Sequence, residues 1–190
     1  MTKFFTSSLK SSLVAAMLLA SPLLSADSPK TAKVPNDKIF IGAGVGLGGY
    51  GMFGLEASVG YIHYFPKDTF IADKFRQGIR AYGSVGFSHN STSYARYNWS
   101  YNYVPIIVGA DYLLDFNPGE KYVWGIFAGL GVGFLYTSTT YEYTKTSSSA
   151  YGVGYAARAG GSLTIDNAHR LDLDFGFGVS NLTLRYAYLF

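Results

Sequence analysis

His89 and Ser91 form an H-x-S pair, a spacing at which an imidazole can take the proton of a serine hydroxyl and make it a nucleophile. That chemistry also needs an acid to orient the imidazole, and the carboxylate on offer is Glu142, in a separate polar stretch. A second set of charged types is spread along the chain: Glu56, Asp111, Asp172 and Asp174 against Arg80, Arg158, Arg170 and Arg185. Four acids and four arginines can move protons or neutralise one another, and their surroundings decide which. Gly44, Gly46 and Gly49 meet the G-x-G-x-x-G spacing that cradles a pyrophosphate where a strand enters a helix, but alternation continues past them into Phe53 and no helical pattern follows. His63 and His169 stand alone and there is no cysteine, so neither a metal site nor a cofactor is expected.

The elements that hold these residues are written in period two. From 38 to 48 the odd positions read Ile39, Ile41, Ala43, Val45 and Leu47, whereas the even ones from 40 onward are Phe40 and glycines. Seven further segments follow the same rule. Their apolar faces run through Phe53 to Tyr61, Ile79 to Phe87, Val104 to Tyr112, Tyr122 to Tyr136, Tyr151 to Ile165, Leu171 to Val179, and Leu182 to Phe190. The eight named charges all fall on the opposite faces. Pro105 interrupts the fourth segment on its inner side, which predicts a bulge or a position near a rim.

A soluble sandwich would turn polar faces to water and large branched residues inward. Here one face is glycine, serine and a few charges and the other is greasy, so the greasy face must meet lipid. With only 14% charged residues and no apolar run after residue 26 near the roughly 20 residues of a membrane helix, spanning has to be done by strands. The prediction is an all-β fold, an eight-stranded antiparallel up-and-down transmembrane β-barrel over residues 38–190.

Upstream, Lys3 and Lys10 precede an apolar stretch from Leu13 to Leu24 and the small residues Ser25 and Ala26, the order of a cleavable secretory signal. Residues 1–26 are therefore expected to be removed, leaving a short periplasmic segment at 27–37. Without Lys3 and Lys10 the net charge falls from +3 to +1, which gives no electrostatic footprint for nucleic acid.

An even strand number returns both termini to the periplasm and makes 48–52, 88–100, 137–150 and 180–181 the extracellular connections. The Ser, Thr and Tyr of 88–100 and 137–150 make these loops the candidate contact surface for a host or cell-surface ligand, because tyrosine offers contact area at low entropy cost. Segment 66–77 is long for a periplasmic turn. Tyr61, Tyr64, Tyr112, Trp124, Tyr186 and Tyr188 at one rim and Tyr50, Trp99, Tyr136 and Tyr151 at the other are expected to form interfacial girdles. An eight-stranded barrel is just wide enough for its side chains to fill, so the eight inward charges are expected to pair into a plug. A two-residue turn at 180–181 would set Arg185 opposite Gly176 and diagonal to Asp174.

These features carry a resemblance. Leu184, Tyr186, Tyr188 and Phe190 resemble the C-terminal strand signature of bacterial outer-membrane proteins, which implies recognition by the barrel-assembly machinery and contact with outer-membrane lipid and lipopolysaccharide. Length, leader and Gly-rich alternation are similar to small barrels of the opacity and OmpA-like type, and the aromatic ending is similar to the Helicobacter outer membrane protein family. The resemblance implies an outer-membrane barrel giving structural support and surface contacts, adhesion among them, without enzymatic activity. His89 and Ser91 faintly resemble the pair of outer-membrane lipid A deacylases, which keeps a lipid A-modifying enzyme as an alternative beside a narrow channel.

Overall fold

In the computed structural model residues 36–47, 53–66, 75–94, 97–178 and 182–190 are described. The expected signal peptide, the turn glycines around Gly49, most of segment 66–77 and the 180–181 turn lie outside them. Eight strands follow in order: β1 Asp37–Leu47, β2 Phe53–Tyr64, β3 Arg76–Tyr94, β4 Tyr97–Asp115, β5 Tyr122–Tyr141, β6 Thr146–Ile165, β7 His169–Gly178 and β8 Leu182–Leu189. Each pairs antiparallel with its neighbours and β1 closes on β8, giving an up-and-down barrel.

The alternation sets which face looks where. Ile39, Ile41, Val59, Ile126, Leu130, Val132 and Phe175 are exposed on the outside, while Phe40, Ile62, Tyr82, Leu113 and Phe127 are buried within. Following the register from Gly44 one way round, through Glu56, Gly86 and Leu135, ends at Gly152 on β6. The other way, through Arg185 and Asp172, ends at Ser162, ten residues along the same strand. That stagger is the shear of a tilted eight-stranded barrel with a filled interior.

The β6–β7 connection at the terminal end is tight. Asp166 and Asn167 both take positive φ (50° and 56°), and Ala168 N donates to Ile165 O at 3.1 Å, a type I′ turn within the three-residue connection between Ile165 and its partner His169. The long hairpins β3–β4 and β5–β6 stand at the end opposite the termini.

Three expectations change. First, β3 runs to Tyr94 and β4 starts at Tyr97, while β5 and β6 pair out to Tyr141↔Thr146, so 88–100 and 137–150 are extended hairpin ladder rather than loops. Second, Arg185 lies opposite Asp172, whereas Gly176 lies opposite Arg158, because β7 and β8 pair only up to Phe175↔Leu182 and the connection is wider than a two-residue turn. Third, Pro105 sits without a bulge. Phe116 N donates to Trp124 O (2.8 Å), so even-numbered residues of β4 bond to β5 and the donor that Pro105 lacks points at β3. The β3–β4 ladder lapses only between Val85↔Ile106 and Ser88↔Tyr103 and resumes in the same register. Gly86 makes this possible, since a Cβ there would stand 3.0 Å from Pro105 Cγ. The proline does lie toward the outer rim, where the outward face passes from Val104 to Asn102.

Candidate functional site

The lower interior is a chain of ion pairs bridging strands remote in sequence. Arg80 Nε donates to Asp111 Oδ2 (2.6 Å), and its other end pairs with Asp172. Arg158 makes a fork onto the same Asp111, Nε to Oδ1 at 2.9 Å and Nη2 to Oδ2 at 2.7 Å. Arg170 Nε reaches Asp172 (2.8 Å), and Arg185 bridges Glu56 (2.7 Å) and Asp174 (3.2 Å). The register makes room for this: Asp111 and Arg158 flank Gly129, and a Cβ on Gly129 would run into the Asp111 carboxylate and the Ala110 carbonyl.

Aromatic rings fill the space between charges. The guanidinium of Arg158 lies 3.7 Å from the Tyr82 ring centroid and that of Arg80 lies 4.6 Å from Phe127. Arg80, Asp111, Arg170 and Asp172 are each 1% exposed and Asp174 0%, so these pairs are shielded from water and salt.

Two members were missing from the sequence reading. Arg76 Nη2 bonds Asp115 (2.8 Å), and Arg170 approaches the same carboxylate at 3.9 Å. Arg76 fell in segment 66–77 and Asp115 in a turn, yet each continues its strand's inner parity, which was the signal available. Lys38, also buried, caps the hairpin by donating to Asn167 O (2.7 Å). Tyr64 needs the opposite correction. It is an even-numbered, inward residue of β2, 1% exposed beneath the Arg76 guanidinium (4.0 Å), and so forms no part of a girdle.

At the C-terminal strand, Leu184, Tyr186, Tyr188 and Phe190 have outward parity. His169 Nδ1 pairs with the Tyr186 hydroxyl (2.8 Å), and the Tyr188 ring packs edge-on against both His169 (5.4 Å) and Phe190 (4.9 Å).

The upper structure is of another kind. β3, β4, β5 and β6 continue past the last partners of β2 and β7 as a four-stranded sheet. Its outward face changes along each strand from Phe87, Val104, Phe134 and Val153 to His89, Asn102, Ser138 and Ser149, which marks where the apolar band ends. Its other face carries two cross-strand rows, Asn90↔Tyr101↔Thr139↔Ser148 and Thr92↔Trp99↔Tyr141↔Thr146. Trp99 therefore has inward parity on this raised sheet and is not a girdle residue. Tyr136 and Tyr151 do face outward, with ring centroids 5.0 Å apart. The described strand residues above Ser88 carry no Asp, Glu, Lys or Arg up to the tip at Glu142 and Lys145.

His89 and Ser91 lie on the outer face of this sheet. His89 Nδ1, the atom a catalytic carboxylate would orient, meets the side-chain oxygen of Asn102 (2.7 Å).

A closed barrel of eight strands with a greasy outside and a charged inside defines a bacterial outer-membrane barrel. A family model agrees and refines this: the chain belongs to the Helicobacter outer membrane protein family, matched over residues 56–187. Among solved structures it is similar to the outer membrane enzyme PagL, with TM-score 0.52 and 15% identity over 78% of this chain and 98% of that one. It also matches Ail, the attachment invasion locus protein of Yersinia pestis, with TM-score 0.43 and 16% identity over 80% and 93% of the two chains. A second structure of Ail, in complex with the heparin analogue sucrose octasulfate, gives TM-score 0.44 at 15% identity over the same shares. At such identities the likeness to PagL is one of fold. No curated protein matches the sequence.

Proposed function

We infer that the protein is a non-enzymatic barrel that braces the outer membrane and presents the raised β3–β6 sheet as its contact surface, adhesion being the consequence at the level of the cell. The observation that carries this reading is the sheet itself: four strands outrun the other four and display tyrosine, tryptophan, serine and threonine beyond the apolar band. Lipid and lipopolysaccharide surround the greasy wall, and the strand ending in Leu184, Tyr186, Tyr188 and Phe190 serves as the segment read during barrel assembly. The interior Glu56, Arg80, Asp111, Arg158, Arg170, Asp172, Asp174 and Arg185 act as a plug, so that planar bilayers containing the purified protein should show no large, stable conductance.

Against lipid A modification weighs the pairing of His89 with an amide where the chemistry needs a carboxylate. Lipid A mass spectra should accordingly be the same in a deletion strain and its parent. The contact reading is tested by grafting residues 88–103 and 137–151 onto an inert eight-stranded barrel and scoring cell binding. Binding above that of the host barrel is the expected result; binding equal to it ends the proposal.

A further inference from the structure

The raised sheet has an edge, and its backbone is aimed outward. Asp166 N donates to Lys121 O (2.9 Å), and from there the β5–β6 register runs unbroken to Tyr141↔Thr146. In an antiparallel ladder the bonded pairs alternate, so even-numbered residues of β6 direct their N–H and C=O groups to β5 and odd-numbered ones direct theirs to the far side. On that side β7 supplies partners only as far as Ala156↔Gly178. Ser147, Ser149 and Tyr151 thus offer N–H and C=O groups at strand spacing to whatever lies beside β6.

Natural edges are normally blunted by lysine, proline, inward charges or a bulge. Residues 146–157 contain neither a charge nor a proline, and their register with β5 shows no bulge. Ser147, Ser148, Ser149 and Ala150 are small and exposed, leaving space on both faces for the side chains of an added strand, while Tyr151 is 69% exposed beside them.

We propose that the edge of β6 at residues 146–152 is a β-augmentation site, which takes an extended, uncharged polypeptide segment of another protein as a further antiparallel or parallel strand. The inference rests on the raised sheet being the contact surface and names the class of partner for it. A polypeptide fits because only another backbone matches donors and acceptors repeating every second residue, with affinity drawn from main-chain bonds. The chain's own connection from β7 to β8 is too short to fill the edge. It has three residues, 179–181, which span at most about 11 Å fully extended and must return to Leu182. A second barrel fits poorly as well. Two copies related by an axis along the membrane normal would cross their tilted strands at roughly 70–90°, twice the usual tilt, rather than lay them side by side.

The test uses the mature barrel refolded in detergent micelles and a fluorescent synthetic peptide with the sequence of residues 135–141, an uncharged strand that already complements β6 from its other side. Saturable binding by anisotropy is expected, with amide resonances of Ser147, Ser149 and Tyr151 shifting more than those of Ser148 and Ala150. Ser149→Pro removes an edge donor that β5 does not use, and Ser149→Lys adds an edge charge; each should weaken binding at least about tenfold while the barrel keeps its heat-dependent gel mobility. Absence of saturable binding overturns the proposal, as does binding that both variants leave unchanged. A dimer that sedimentation detects and Ser149→Pro abolishes would assign the edge to a second copy instead. If the grafted sheet confers cell binding that Ser149→Pro does not alter, the contact surface stands and the edge falls; if the graft confers none, the contact reading itself has failed.

Discussion

Between Asp115 and Glu56 the barrel's interior ties β2, β3, β4, β6, β7 and β8 together through arginine–carboxylate pairs that, apart from Arg76 and Glu56 at the two ends, are shielded from water. A few residues further along the same strands, the raised sheet is held by backbone ladder, hydroxyls and the ring pair Tyr136–Tyr151. The contrast follows from surroundings. A buried charge without a partner is ruinous, so the interior is all-or-nothing, whereas exposed serine and threonine lose little when a neighbour is removed. Stability should therefore reside below and contact above, and each half can be changed to see whether the other notices.

The largest effect is expected from Asp111→Ala, which strands Arg158 and takes from Arg80 one of its two carboxylates, leaving it Asp172. A loss of about 3–5 kcal/mol is expected in urea titrations of the barrel refolded in lipid vesicles. Replacing Asp111, Arg80 and Arg158 together by apolar residues of similar volume should recover most of that loss, because the penalty comes from breaking the set rather than from lacking it. A triple variant as unstable as Asp111→Ala would mean that the charges themselves hold the barrel closed.

Two glycine substitutions sharpen the comparison. At Gly129 a new Cβ meets the Asp111 carboxylate and a backbone carbonyl, so Gly129→Ala should cost about 1–3 kcal/mol by forcing the fork with Arg158 apart. At Gly152 nothing lies within 4 Å of such a Cβ. Gly152→Ala should be neutral or slightly stabilising, by up to roughly 1 kcal/mol, since alanine gives up less backbone freedom than glycine on entering a strand. Equal losses at the two sites in the same urea titration would erase the distinction between packed interior and open upper barrel.

The same division explains what was legible in the sequence. Where the environment is lipid on one side and a narrow lumen on the other, every second residue must change character. Eight strands and the inward direction of Arg80, Asp111, Arg158 and Asp172 could be read directly. Parity also reached further than it was applied: Arg76 and Asp115 continue inner faces but sit at strand ends that resemble turns, and Tyr64 and Trp99 were assigned to girdles by height along the strand although their parity points inward. The residue opposite Arg185 is Asp172 rather than the expected Gly176, because hairpin register depends on the length of a connection that composition does not report, while Arg185 still pairs with the diagonal Asp174. Above the apolar band the signal fades, since both faces meet water and serine, threonine, asparagine and tyrosine suit a solvated strand as well as a loop. The raised sheet was accordingly read as two loops.

The smallest expected effect tests the comparison from the upper side. Deleting residues 138–149 and rejoining β5 to β6 through Asn-Gly at the bonded pair Thr137↔Ala150 removes the tip of the raised sheet but leaves the ring contacts of Tyr136 and Tyr151 and every interior ion pair. The bonds lost are exposed ladder bonds that water replaces at little net cost, and the shorter loop offsets part of that by lowering closure entropy. The midpoint in urea should therefore stay within about 0.5 kcal/mol of the parent, in the range of surface changes away from buried features. Contact with cells should fall all the same, because the rows containing Thr139, Tyr141, Thr146 and Ser148 go with the deletion. A shortened barrel that unfolds much earlier would show that the raised sheet braces the rim, and stability and contact would then have to be assigned to the same four strands.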